Sequence, residues 1–227
     1  MLPGTLMTPV STSTSIGGND ADTELLIHAD GADASTSFTD SSSNGFTITA
    51  NGAAQVDTAQ SKFGSGSYLA NGTSGNYLSI PDNDALRPGT GDYTIDCWVR
   101  HSSVAGYQTL YSKGYTTSGG ILFQSTLDTG RWSVYHSGSL ILTETGSAVS
   151  TDTWYHMAFV RDGTSLKIYR DGVETGSATN STNLNSTTEV RIGADSTFPL
   201  SAHVDEFRQS SVARYTTGFT PATEAYS

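Results

Sequence analysis

Apolar and polar residues alternate in short runs along most of this chain, and the runs end in Gly, Asn, Asp or Ser clusters. The clearest case is WYHMAFVRDGTSLKIYRDGVETG, from Trp154 to Gly176, where Trp154, His156, Ala158 and Val160 alternate with Tyr155, Met157 and Phe159. A period of two is that of a strand whose faces differ. Asp162-Gly163 and Asp171-Gly172 supply the positive φ angles that tight hairpins need, so this stretch predicts three strands in a meander. ELLIH, GFTITA, SYLA, NYLSI, YTIDCWVR, QTLYSK, ILFQST, RWSVYH, LILTET, EVRIGA and HVDEFRQ read as further strands. They outnumber what one flat sheet holds, which predicts two sheets packed face to face. Trp98, Trp154, Tyr155 and Phe159 are expected inside that sandwich. No segment has the periodicity of a long amphipathic helix.

Composition narrows the class. With 227 residues, 24 glycines and only 15 % charged residues, the chain suits a single all-β domain with many turns. A net charge of −11 argues against nucleic acid as a partner, because that affinity comes from clustered Lys and Arg. The lone cysteine, Cys97, has no intramolecular disulfide partner and reads as a small buried hydrophobe. No run is long and apolar enough to span a bilayer, and MLPGTLMTPV lacks the features of a secretory signal.

Residues 1–22 read as an N-terminal arm and linker ahead of a sandwich domain at 23–227. STSTSIGGND is too polar and small to order itself, while Leu2, Leu6, Met7 and Val10 are spaced by Pro, Gly and Thr. These four apolar side chains are expected to serve as attachment points that order against a partner.

Three segments carry a family resemblance: LLIHADG (Leu25–Gly31), KFGSGSYLANGTSGNYLSIPDNDAL (Lys62–Leu86) and HVDEFRQSSVARYTTGFTPATEAY (His203–Tyr226), together with the WYH strand. The chain resembles the laminin-G-like, concanavalin-A-type jelly roll, a two-sheet antiparallel β-sandwich. LLIHADG and ARYTTGFTP are also similar to laminin-G-like domains in structural proteins of tailed bacteriophages. That resemblance implies a virion surface protein made in the host cytoplasm, a capsid decoration or tail-fibre component. Its arm would attach to a capsid or tail protein, with several copies gathered about a symmetry axis and the sandwich displayed for adhesion to a host-surface glycan. A free-standing carbohydrate-binding lectin domain is the alternative, and a glycan-degrading enzyme the third reading.

Catalysis has little support in the sequence. Retaining glycosidases need two carboxyls a few ångströms apart, and no E-x-D-x-x-E run is present. Asp205 and Glu206 are neighbours and are expected on opposite strand faces. Asp82 and Asp84 read as turn residues after Pro81, and His136, His156 and His101 show no spacing that marks a catalytic group. The resemblance implies one structural calcium near the opening and closing strands, where Asp30 and Asp205 fall; calcium takes six to eight oxygen ligands. For a glycan, Tyr107, Tyr111 and Tyr115 in GYQTLYSKGYTTSGG form the candidate aromatic platform.

Overall fold

The computed structural model describes residues 18–227. Leu2, Leu6, Met7 and Val10 lie outside the described residues. From Thr23 onward the chain forms β1 (Thr23–Ile27), β2 (Thr49–Asn51), β3 (Gln55–Asp57), β4 (Ser67–Asn71) and β5 (Tyr77–Ile80). A single 3-10 turn at Asp84–Leu86 leads to β6 (Tyr93–His101), β7 (Gln108–Lys113), β8 (Ile121–Ser125), β9 (Trp132–His136) and β10 (Ser139–Thr143). The meander is β11 (Trp154–Asp162), β12 (Ser165–Arg170) and β13 (Val173–Thr179), followed by β14 (Val190–Ile192) and β15 (Ser201–Ser210). Both turns of the meander are two-residue loops. Asp171 and Gly172 have φ of 51° and 77°, the pair of positive angles of a type I′ turn, whereas after Asp162 only Gly163 is positive, at 58°.

All pairings are antiparallel, in two sheets that form the jelly-roll sandwich. The eight-stranded sheet runs β13-β12-β11-β6-β15-β4-β3, with β1 also paired to β15. The seven-stranded sheet runs β10-β9-β8-β7-β14-β5-β2. Across the second sheet, the row Leu142, Val134, Phe123, Tyr111, Ile192, Leu78 and Ala50 faces the first sheet and builds the core. Tyr93, Ile95, Cys97 and Val99 of β6, with Met157 and Phe159 of β11, meet it from the other side. Phe123 and Phe159 stack across the interface with centroids 3.9 Å apart. Cys97 is fully buried there, and burial pushes its thiol well up.

Phe159 takes its expected core position, but Trp98 does not. Because Cys97 and Val99 point inward, the two-residue period turns Trp98 outward. It is buried there under the loop before β4: Phe63 meets its ring edge-on at 5.9 Å and Lys62 Nζ lies 3.8 Å above it. Trp154 and Tyr155 are half-buried, whereas Trp132 is fully buried in the core.

Two bulges reset the parity of their strands. In β7 the register shifts between Thr109 and Tyr111, so Leu110 and Tyr111, although adjacent, both enter the core. In β15 it shifts between Asp205 and Arg208, with Glu206 at φ +50°, and Asp205 and Glu206 come to the same outer face while Val204 and Phe207 point inward. The expectation of opposite faces for these carboxylates therefore fails, since it assumed an unbroken strand.

Candidate functional site

The outer face of the eight-stranded sheet is occupied by the chain itself. After β15, residues 211–227 cross β6, β11 and β12 as a strap. Tyr215 and Phe219 stack at 3.7 Å, and Phe219 packs edge-on against Tyr169 and His156. Underneath, the carboxylate of Asp96 accepts hydrogen bonds from Arg208 Nε (3.0 Å) and Nη2 (2.7 Å), and from the hydroxyls of Tyr215 and Tyr226 (both 2.8 Å). Burial works against the charge on Asp96, but Arg208 and His156 outweigh it and hold the carboxyl far below its usual range. Arg208 lies over the Tyr226 ring at 3.8 Å. Over β6, β11 and β12 this face is closed by the strap.

Asp30 and Asp205 are brought together by one loop. Asp205 Oδ2 accepts from the backbone N–H of Lys62 (2.7 Å) and Phe63 (3.1 Å), and Oδ1 accepts from the N–H of Glu206. Asp30 Oδ1 accepts from the N–H and hydroxyl of Ser65 in the same loop. Burial outweighs the N–H bonds and pushes Asp205 up to about 7, with the Glu206 charge adding to it. Glu206 in turn pairs with His28 Nδ1 at 2.8 Å and accepts from the N–H of Tyr226. Among the described residues no group of three or more His, Cys, Asp or Glu side chains is arranged to hold a metal ion. A calcium ion taking six to eight oxygens would have to draw on carboxylates that already serve this loop.

The seven-stranded sheet is different: among the described residues no comparable strap crosses its outer face, although Leu122, Ser112 and Ser79 in it are buried. Its outward row reads Leu140, Tyr135, Leu122, Ser112, Arg191, Ser79 and Thr49 across all seven strands. Leu140 is 56 % exposed beside Tyr135. Tyr115, just beyond the end of β7, meets Tyr135 edge-on at 5.8 Å. Tyr107, before the other end of β7, is 41 % exposed and leans on Phe198 at 5.5 Å. Burial raises the Tyr135 phenol, and the phenols of Tyr115 and Tyr107 both add to the rise.

Tyr107 and Tyr115 thus border this open face, while Tyr111 does not. Tyr111 is fully buried, stacks on Phe207 at 6.1 Å and donates to Gln209 Oε1 at 3.1 Å. The β7 bulge turned it inward, and burial raises its phenol accordingly. Its place in the trio is taken by Tyr135, which the sequence reading passed over. The signal was present in RWSVYH: if Trp132 and Val134 face the core, Tyr135 must face out.

Two depressions flank the tyrosines. One, of about 240 Å³, is lined by Tyr115, Ser112, Thr188, Glu189, Arg191 and Asp195, among others. The second, of about 370 Å³, is lined by Tyr107, Asn71, Ser103, Gln108, Pro199 and Ser201. In the first, Arg191 lies over the Tyr77 ring at 4.6 Å and donates from Nε to Glu189 Oε1 at 2.7 Å. Asp195 Oδ1 accepts from the N–H of Thr197 and of Phe198, both at 2.6 Å, which fixes the loop carrying Phe198. Lys113, under this cleft, is spent on Asp82 and the Thr188 carbonyl, both at 2.6 Å.

Exposed aromatic faces beside hydrogen-bonding side chains suit a sugar, whose C–H faces are apolar and whose rim is hydroxyl. A two-sheet antiparallel jelly roll with one strapped and one open face defines a β-sandwich class. Its family follows from the sequence: a model of the concanavalin A-like lectin/glucanases superfamily matches residues 71–216, and the chain belongs to that superfamily. Among curated proteins none matches the chain.

Solved structures share the fold at low identity. The binding domain of Paraclostridial Mosquitocidal Protein 1 superposes with a TM-score of 0.67 at 13 % identity, covering 85 % of this chain and 49 % of that one. Domain 4 of the GH43 extracellular arabinanase AbnA from Geobacillus stearothermophilus, in complex with arabinotriose, gives 0.66 at 21 %, covering 85 % and 93 %. The binding domain of botulinum neurotoxin DC in complex with SialylT gives 0.64 at 12 %, covering 88 % and 49 %. The chain spans about half the length of the two toxin domains.

Proposed function

We propose that this domain is a non-catalytic, lectin-like carbohydrate-binding module that takes its glycan on the open face of the seven-stranded sheet. The observation that carries the reading is the edge-on pair of Tyr115 and Tyr135 on that face, with the exposed Tyr107 at the other end of β7, each of Tyr115 and Tyr107 lining a polar depression. Solved structures of similar fold in complex with arabinotriose and with SialylT support it. A binding role is also favoured by the place of Asp205, the carboxyl raised to about 7: it lies buried on the other sheet, away from the open face. The test is calorimetric titration or affinity electrophoresis against a panel of glycans, with Tyr135→Ala as the control. Binding that survives Tyr135→Ala unchanged would move the site elsewhere.

The finer setting is a virion. The LLIHADG and ARYTTGFTP segments support a phage capsid-decoration or tail-associated protein, displayed on the particle surface through Leu2, Leu6, Met7 and Val10. Deleting residues 1–20 should leave a folded sandwich that no longer joins particles. Full occupancy by the truncated protein would put attachment on the sandwich. A calcium ion shared by Asp30 and Asp205 belongs to the same group of proposals. It requires a melting temperature that rises with calcium and falls with chelator, because the ion would bind only the folded state.

A further inference from the structure

The cleft beside Tyr115 differs in chemistry from the tyrosine face, and the difference bears on which sugars it accepts. Arg191 is held on two sides, by Glu189 at its Nε and by the Tyr77 ring beneath its plane. Its two terminal nitrogens have no partner among the described residues, so a guanidinium already fixed in orientation keeps free donors at the cleft. Asp195 commits Oδ1 to two backbone N–H groups, and its Oδ2 has no partner among the described residues. Hydroxyls of Ser112, Thr116, Thr117 and Thr188 line the rest. Donors and acceptors therefore both line about 240 Å³, which matches neighbouring hydroxyls that each donate and accept.

Charge decides what kind of sugar fits. One guanidinium stands against two carboxylates, Glu189 and Asp195, so the cleft carries a formal charge of about −1 within a protein of −11. The other nearby cations do not change this. Lys113 is bound to Asp82, and Arg87 is paired with Asp82 and Asp84. A ligand carboxylate or sulfate could reach Arg191 only by displacing Glu189 or by sharing the guanidinium with it, and would meet Asp195 as well. Like charges in one partly desolvated site cost free energy that a neutral hydroxyl does not.

We propose that the Arg191–Glu189–Asp195 cleft is a second sugar subsite, continuous with the tyrosine face through Tyr115, that selects neutral glycan units and rejects those bearing a carboxylate or sulfate. The proposal rests on the glycan-binding reading above. Arg191 supplies donors, Asp195 and Glu189 supply acceptors and the charge filter, and Tyr115 is the wall shared by both subsites.

The experiment is a glycan array read with the full chain, carrying neutral oligosaccharides beside counterparts that add one sialic or uronic acid residue, at low and at high salt. The expected result is a neutral binder whose acidic counterpart is at least about tenfold weaker at low salt, with the gap narrowing at high salt as screening grows. Asp195→Asn, which keeps the loop acceptor and removes the charge, should narrow the gap at low salt. Arg191→Ala should weaken the neutral binder about tenfold, while Arg191→Lys, which keeps the charge but loses the planar fork, should recover only part of the loss. An acidic glycan that binds as well as its neutral counterpart, or better, overturns the charge filter and leaves the tyrosine site standing. Neutral binding that Tyr135→Ala abolishes but Arg191→Ala leaves intact removes the second subsite alone. An array with no binder overturns the glycan reading and this subsite with it.

Discussion

The two outer faces of this sandwich start from similar material and end with opposite uses. Each presents a row of outward side chains with aromatic members: Tyr169, Ala158, Asp96 and Arg208 on the eight-stranded sheet, Tyr135, Leu122, Ser112 and Arg191 on the other. On the first, residues 211–227 fold back and close the surface with Tyr215, Phe219 and Tyr226 around a buried ion pair. On the second, no such strap is present among the described residues, and Tyr107, Tyr115, Tyr135 and Leu140 keep exposed surface. A sheet face becomes a site when its aromatic residues are not consumed by the protein's own chain. Even the arginines follow this division: Arg208 is fully buried, whereas Arg191 is pinned but keeps two nitrogens for a ligand.

Substitutions on the strapped face should act on stability, and those on the open face on binding. The largest effect is expected from Asp96→Ala, which leaves Arg208 charged and buried without its carboxylate. Removing one partner of such a pair costs about 3 to 5 kcal/mol, to be read as a lower midpoint in urea unfolding. An unchanged midpoint would mean that the strap and not the ion pair holds this face. Next comes Tyr215→Ala, which removes the ring stacked on Phe219 and one donor to Asp96. A loss of about 2 to 3 kcal/mol is expected for a large buried aromatic, together with new binding of a hydrophobic dye.

The pH dependence gives a third test. Asp205 has its folded-state affinity for the proton raised to about 7, against an unfolded value of 3.8. Between about pH 4 and pH 7 the folded state therefore holds a proton that the unfolded chain has lost, and stability falls as pH rises across that window. The slope is limited to about 1.4 kcal/mol per pH unit for one proton, and Asp205→Asn should flatten it. A slope that survives the substitution would assign it to another group; His28 would not supply it, because its pairing with Glu206 raises it above 6.5 and its contribution is lost only at higher pH. The smallest effect on the fold belongs to Tyr135→Ala, expected to cost about 1 kcal/mol or less in stability while weakening glycan binding about tenfold, or about 1.4 kcal/mol. Equal losses in both would end the division between the two faces.

Much of this was legible locally. The period of two and the Asp-Gly turns depend on residues a few positions apart, and they placed the meander of β11, β12 and β13 and the sandwich class. The same period predicts that Trp98 faces away from Cys97, although size and hydrophobicity suggested the core; it is buried from outside by Lys62 and Phe63 instead. Tyr107 and Tyr115 were legible as candidates because they flank a strand in a turn-rich segment. Tyr111 was misread because a bulge changes parity without changing composition.

By itself, then, the order of residues determined the strands, the hairpins and which segments carry aromatic and acidic side chains, because these follow from backbone sterics and short-range alternation. The tertiary structure decided the rest: that the β7 bulge buries Tyr111 and leaves its place to Tyr135, that the β15 bulge puts Asp205 and Glu206 on one face, and that the C-terminal strap closes one sheet and leaves the other open. Each of those outcomes depends on contacts between segments far apart in the chain, such as Asp96 with Tyr226 or Asp205 with Lys62. Their energies arise only once both partners are held in place by the packed sandwich, and no local pattern encodes them.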